Sequence, residues 1–345
     1  MQFRQLGSSG LLVSELCLGA MLFGEESSRG TPPEDAHRLM STFVEAGGNF
    51  IDTANVYAGG RSEEIVGQWL KDHNRHDVLI ATKVRFTRGE GVNAEGLSRA
   101  HILTEVENSL RRLGTDYIDL YQTHMWDEVA PLDETLRALD DLVTAGKVRY
   151  IGLSNHTAWQ TMKALSVSDA RGYSRYVSAQ YQYSLVRRDI EYEFLPLFES
   201  EGLGLLPWGP LGGGFLSGKY RRGERPVSGR IAMMGDESEE AWDRRSTDRN
   251  WDIVDAVGDI AEQRGKTYPQ VALNWLLTRP TVASVIVGAR TQEQLEDNLG
   301  AAGWRLGDEE LDKLNTVSAP PEAYPYRMMQ VYGGRKNWSQ EGTNG

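Results

Sequence analysis

The sequence predicts an α/β fold, a single (β/α)8 barrel with a long loop after the seventh strand and extra helices. Three observations predict it. Eight short apolar, β-branched runs alternate with amphipathic segments almost from end to end of 345 residues. Several amphipathic segments stop at a glycine, as at Gly47, Gly114, Gly146 and Gly202. The glycine fingerprint that would follow the first strand of a doubly wound open sheet is absent. Eight strand–helix units in one chain close into a TIM barrel, and an insertion-bearing barrel of this length is one domain.

The elements follow in order. A turn at 7–10 precedes the first strand, 13–19, where Glu15 breaks the apolar stretch too early for a signal peptide. Strands follow at 49–54, 78–84, 118–124, 149–154, 177–182, 204–208 and 284–288. Helical patterns lie between them at 33–46, 62–71, 98–113, 132–145, 190–200 and 269–277. Residues 220–247 form a long polar connection after the seventh strand, and in a compact domain such a loop is a lid or a disordered excursion. An amphipathic segment at 250–264 comes before the helix that leads to strand eight. The tail from Ala319 carries Tyr324, Tyr326 and Tyr332, too aromatic to be wholly solvated. Residues 1–333 are thus expected to form the barrel domain and 334–345 a disordered tail.

Composition narrows the function. A net charge of −12 argues against nucleic acid or an anionic membrane as partner, and means that an anionic cofactor needs a local cationic pocket. No apolar run reaches the roughly 18 residues of a membrane span. A cytoplasmic protein is the expectation. The single cysteine, Cys17, excludes an internal disulfide and a cysteine zinc cage, and reads as core filling. His73 and His76 stand in a polar turn without further ligands, so no metal is expected. Oligomeric state is open between monomer and homo-oligomer.

In such a barrel the C-terminal ends of the strands meet at one mouth. Strand two runs out through Asp52 to Tyr57, strand three ends at Lys83 and strand four at His124. Residues 48–57 read Gly-Asn-Phe-Ile-Asp-Thr-Ala-Asn-Val-Tyr, 62–67 read Ser-Glu-Glu-Ile-Val-Gly, and 113–124 read Leu-Gly-Thr-Asp-Tyr-Ile-Asp-Leu-Tyr-Gln-Thr-His. With Gly-Leu-Ser-Asn at 152–155 and the segments 180–185 and 288–298, these strings resemble the aldo-keto reductases, in the expected order over about residues 1–318. Potassium-channel beta subunits resemble the same family. By position Asp52, Tyr57, Lys83 and His124 match its catalytic tetrad.

The chemistry asks for these residue types. Reducing a carbonyl needs hydride at carbon and a proton at oxygen. Tyr57 is the candidate acid, but a free phenol with pKa about 10 is sluggish near neutrality. A cation beside it favours the phenolate, which is the role of Lys83, and Asp52 holds that ammonium charged and aimed. His124 donates a hydrogen bond to the carbonyl oxygen.

The resemblance implies a nicotinamide nucleotide bound without a Rossmann unit. Ser154, Asn155 and Gln180 suit a carboxamide, and Trp208 gives the ring an aromatic face. Gly19, Ala20 and Met21 match the family's Gly-Thr-Met run, with alanine replacing threonine, and Asp52 also stands beside the cofactor. The family often has tyrosine followed by Ser-Pro-Leu where this chain has Trp208, Gly209, Pro210 and Leu211. Segment 213–219 imitates a P-loop, but Tyr220 stands where Ser or Thr should bind magnesium, which excludes an NTPase. Instead Leu211, Gly212 and Leu216 let backbone approach a pyrophosphate, with Ser217, Lys219 and Arg230 on its oxygens. Gly288, Arg290, Gln294, Asp297 and Asn298 resemble the adenosine site, and Arg290 reads a 2′-phosphate. NADPH is expected, with NADH the lesser alternative.

The substrate is expected to be a small-molecule aldehyde or ketone held between Tyr57 and His124, reduced without a metal and reversibly. Phe23, Trp126 and Trp208 are expected to wall its pocket, with Tyr324 and Tyr326 from the tail, favouring ring-containing carbonyls. Two other readings stay open. One is a nicotinamide-binding redox sensor or regulatory subunit of the channel beta-subunit type, and the other a non-redox lyase or isomerase on the same barrel.

Overall fold

A computed structural model describes residues 1–25, 30–227, 229, 231–233, 235 and 237–333. The expected tail 334–345 and Arg230 lie outside the described residues.

The chain begins with an antiparallel hairpin, β1 (Phe3–Gln5) and β2 (Leu12–Ser14), around the expected turn. Eight parallel strands follow: β3 (Leu16–Gly19), β4 (Phe50–Asp52), β5 (Leu79–Val84), β6 (Ile118–Thr123), β7 (Val148–Ser154), β8 (Tyr176–Gln182), β9 (Gly204–Trp208) and β10 (Val285–Val287). They pair in sequence order, with β10 beside β3. The ring closes where Leu205 of β9 bridges Val282, just ahead of β10. This is the (β/α)8 TIM barrel. The strands read as continuous apolar runs because both their faces are covered.

Around them lie α1 (Pro33–Glu45), α2 (Arg61–Leu70), α3 (Arg99–Leu113), α4 (Leu132–Thr144), α5 (Ala158–Arg171) and α6 (Phe194–Glu201). The second half adds α7 (Trp242–Arg245), α8 (Asp248–Arg264), α9 (Tyr268–Leu277), α10 (Gln292–Leu299), α11 (Asp308–Val317) and α12 (Tyr326–Tyr332). The sequence logic is plain in α1, where Ala36, Leu39, Met40 and Phe43 are buried at helical spacing. Thr157 caps α5 and Thr267 caps α9 in reciprocal boxes with Gln160 and Gln270. The glycines expected to end helices do so: Gly47, Gly114, Gly146 and Gly202 all have φ between 63° and 86°.

Two cores result. The larger lies between helices and barrel. The smaller fills the barrel, with Cys17, Phe50, Ala81, Leu120 and Leu206 packed on Leu6 and Val13 of the hairpin. The hairpin therefore plugs the N-terminal end of the barrel and leaves the other end for the site. Its turn needs glycine at Gly7, where φ is 58° and a Cβ would stand 2.3 Å from the Val177 carbonyl oxygen.

Three expectations change. The run 13–19 is two strands rather than one, because the chain turns at Glu15, whose buried carboxylate lies 3.1 Å from Arg305 and 3.5 Å from Arg4. The connection after β9 is less polar than its composition, since Tyr220, Ile231 and Trp242 are buried in it. Tyr324 is 83% exposed and Tyr326 stacks on Tyr192 at 4.9 Å, so neither walls a pocket at the barrel mouth. No helix among the described residues is long and apolar enough to cross a membrane.

Candidate active site

Strand register brings the chemistry together. Asp52 ends β4, Lys83 lies one residue from the end of β5 opposite Gln122 of β6, and His124 follows β6 directly. Tyr57 opens the turn after β4, where Ala58, Gly59 and Gly60 have φ of 46°, 62° and 93°. Three left-handed residues in a row reverse the chain at once, and Ala58 bears the strain of a Cβ in that region. The phenol is left at the mouth.

Lys83 is the hub. Its side chain is fully buried, and Nζ donates to Asp52 Oδ1 at 2.5 Å, to the Thr53 carbonyl at 2.8 Å and to the Tyr57 hydroxyl at 3.3 Å. An ammonium has three N–H groups, and here all three find acceptors. The second carboxylate oxygen of Asp52 accepts from the side-chain amides of Gln122, at 3.0 Å, and Gln180, at 2.9 Å. Burial pulls the Lys83 pKa down, but attraction to Asp52 and Tyr57 outweighs it and the ammonium is held above its usual range. His124 is edge-on to Tyr57, with ring centroids 5.7 Å apart, and edge-on to Phe86 at 4.8 Å. Burial first, and then the Lys83 charge, hold its pKa well below the ordinary value, so the ring is neutral near pH 7. A neutral imidazole keeps one N–H to donate, and Nδ1 has no partner among the described residues.

These groups open on a cleft of about 1100 Å³. Of the residues expected there, Gly19, Met21, Asp52, Tyr57, His124, Ser154, Asn155, Gln180 and Trp208 line it. So do Gly209, Pro210, Leu211, Ser217, Lys219, Gly288, Arg290, Gln294, Asp297 and Asn298. Five expected residues besides the tail tyrosines are elsewhere. Ala20 and Leu216 are wholly buried, and Gly212 is buried with its α-carbon facing the Val186 side chain. Phe23 is buried in the outer core, and Trp126 packs edge-on against His156 at 5.3 Å. The cleft is lined instead by Phe86 and Met125, loop residues that stand three past Lys83 and one past His124. Gln122 was also missed, although a glutamine inside a buried strand run was a signal.

Several expected cofactor contacts are already engaged within the protein. Gln180 is turned to Asp52, the Ser154 hydroxyl donates to the Gln180 carbonyl at 2.8 Å, and Asn155 donates to the His124 carbonyl at 3.0 Å. Asp297 accepts from Thr267 at 2.7 Å. The backbone at Gly209, Gly213 and Gly214 has positive φ on the cleft wall, where absent side chains allow close approach. Lys219 and Arg290 share the cleft. Burial and then repulsion from Arg290 lower the Lys219 pKa, and neither cation has a carboxylate partner among the described residues. Two cations in one cleft of a chain of net charge −12 fit a ligand that carries phosphate.

The sequence pattern of the Aldo/keto reductase family matches residues 15–319. The chain belongs to the aldo/keto reductase family. It is 37% identical over 335 residues to a probable voltage-gated potassium channel subunit beta of Oryza sativa, covering 95% of this chain and all of that one. It is 36% identical to the uncharacterized oxidoreductase YrpG of Bacillus subtilis, over 94% of this chain and all of the other. It is also 37% identical to the norsolorinic acid reductase stcV of Emericella nidulans, over 89% of this chain and 78% of that protein. Membership makes the chain an oxidoreductase of a family that generally uses nicotinamide cofactors.

The aldo/keto reductase mouth also sets a limit in acid. His156, two residues beyond Ser154, is buried, and burial pushes its pKa down to about 4 against the pull of a bond to the Ser154 carbonyl. An unfolded histidine titrates near 6.5, so below that pH the unfolded chain binds the extra proton and the native one does not. Stability is therefore expected to fall as pH drops from about 6.5 to about 4, by about 3 kcal/mol from this group, and His124 acts in the same direction. Thermal melts at about pH 7 and about pH 4.5 check it, and His156→Gln should lose less between them.

Proposed function

We propose that this chain reduces an aldehyde or ketone to the alcohol, with NADPH as hydride donor and Tyr57 as the acid. The observation that carries the reading is the Lys83 ammonium shared between buried Asp52 and the Tyr57 hydroxyl at the edge of a cleft. When bound, the reduced nicotinamide supplies the hydride. The protein's share is the proton and the geometry. Tyr57 gives its proton to the carbonyl oxygen, and Lys83 stabilises the phenolate left behind. Neutral His124 orients that oxygen through its single N–H. Asp52, tied down by Gln122 and Gln180, keeps the ammonium aimed. Trp208 is a face for the nicotinamide ring, and Phe86 and Met125 suit an apolar, ring-bearing substrate. A cytoplasmic setting suits a protein whose one cysteine is buried and free.

Lys219 and Arg290 support NADPH over NADH, because a 2′-phosphate would meet both. Arg290→Ala is expected to weaken NADPH binding about 10- to 100-fold, the value of one or two charge-assisted bonds, and to leave NADH unchanged. Fluorescence titration with each nucleotide checks it. Equal loss for both would place the discriminating group elsewhere.

The relatives named as channel beta subunits favour one second reading, a cofactor-holding sensor. Steady-state oxidation of NADPH and NADH with a panel of aldehydes, ketones and quinones separates the two. Turnover well above about one per second supports the enzyme, and a slow single turnover with retained nucleotide supports the sensor.

A further inference from the structure

Behind the catalytic lysine lies a buried ionic network that the chemistry above does not use. Glu63 of α2 is fully buried, Glu105 of α3 is 3% exposed, and Arg112 of α3 reaches between them. Arg112 Nε donates to Glu63 Oε2 at 2.6 Å, and its Nη2 lies 3.6 Å from Glu105 Oε2. Removing three charges from water is costly, so the groups they hold in return are informative. Glu63 Oε1 accepts from the hydroxyl of Thr82, the neighbour of Lys83 on β5. Glu105 Oε2 accepts from the side-chain amide of Asn55 at 2.7 Å. Asn55 in turn donates its backbone N–H to the Lys83 carbonyl at 3.2 Å. It stands midway between Thr53, whose carbonyl takes the Lys83 ammonium, and Tyr57.

We propose that Asn55 and Glu105 are positioning residues, which anchor the segment 53–57 against β5 and so set the approach of the Tyr57 hydroxyl to Lys83. The anchor grips that segment from α3 through the Asn55 side chain, and Arg112 ties Glu105 to Glu63 of α2. Without the Asn55 side chain, the segment keeps only its backbone bonds to β5 and the ties at Thr53, and the placement of Tyr57 against Lys83 loosens. This proposal rests on Tyr57 being the proton donor.

The test compares the full chain with Asn55→Ala, Glu105→Ala, Glu105→Gln, Tyr57→Phe and the double variant Asn55→Ala/Tyr57→Phe. Asn55→Ala is expected to lower kcat about 10- to 100-fold, the cost of a misplacement near one ångström, with KM and nucleotide affinity nearly unchanged. Glu105→Gln keeps an amide oxygen for Asn55 and should recover most of the rate lost in Glu105→Ala. In the Tyr57→Phe background the Asn55 substitution should have little further effect on rate. A lower melting temperature with unchanged kcat in Asn55→Ala overturns the proposal, since that is what a purely structural network would give. So does a Glu105→Gln variant as slow as Glu105→Ala, and that comparison stands even if Asn55→Ala fails to fold. Full activity in Tyr57→Phe alone overturns the proton-donor reading itself, and the positioning proposal with it.

Discussion

Tyr57→Phe is expected to lower carbonyl reduction about 10²- to 10⁴-fold, the usual contribution of a placed general acid, while nucleotide affinity stays within a few-fold. The substitution removes one oxygen and keeps the ring, so the edge-on contact with His124 survives. It deletes the proton source and one of the three acceptors around Lys83 Nζ. The other two, Asp52 and the Thr53 carbonyl, still hold the ammonium, so the fold should be little affected. Steady-state kinetics with one aldehyde, beside a nucleotide titration, separates lost chemistry from lost binding. An unchanged rate would remove Tyr57 from the reaction.

Lys83→Met should abolish turnover to a similar degree, but by another route and with a structural cost that Tyr57→Phe lacks. Methionine fills much of the buried volume and donates nothing. Asp52, 3% exposed, is then left with the Gln122 and Gln180 amides as its only side-chain donors among the described residues. Breaking a buried ion pair by removing one partner costs about 3–5 kcal/mol. The variant is therefore expected to unfold at a clearly lower denaturant concentration than Tyr57→Phe. Adding Asp52→Asn removes the stranded charge and should restore much of that stability. It should restore none of the rate, because no cation faces the phenol. Denaturant titrations and kinetics on the single and double variants check both halves.

How far the site was legible follows from where each residue stands. Asp52, Lys83 and His124 end strands, and strand ends in a parallel barrel converge whatever their separation in sequence. Their apolar runs marked those ends to within two residues. Tyr57 was reachable because it follows β4 within one turn. Trp126 and Phe23 were misplaced because the direction of a loop side chain depends on its neighbours in space. Trp126 turns to His156 and Trp159, and Phe23 to the outer core, leaving the wall to Phe86 and Met125. The hairpin escaped notice for a related reason. Residues 13–19 are apolar enough to read as one strand, and the ion pairs that hold the break at Glu15 come from Arg4 and from Arg305, almost 300 residues away. Aromatic content alone points the tail to the mouth, whereas Tyr326 packs on Tyr192 and Tyr324 is exposed.

The most direct measurement uses a reduced nicotinamide nucleotide carrying deuterium at the transferable position, an aromatic aldehyde, and the wild-type chain beside Tyr57→Phe. Proton transfer from a lysine-assisted phenol, concerted with hydride arrival, predicts an alcohol labelled at the former carbonyl carbon from the wild type and almost none from the variant. Labelled product formed at equal rates by both proteins, or alcohol without label, would contradict it.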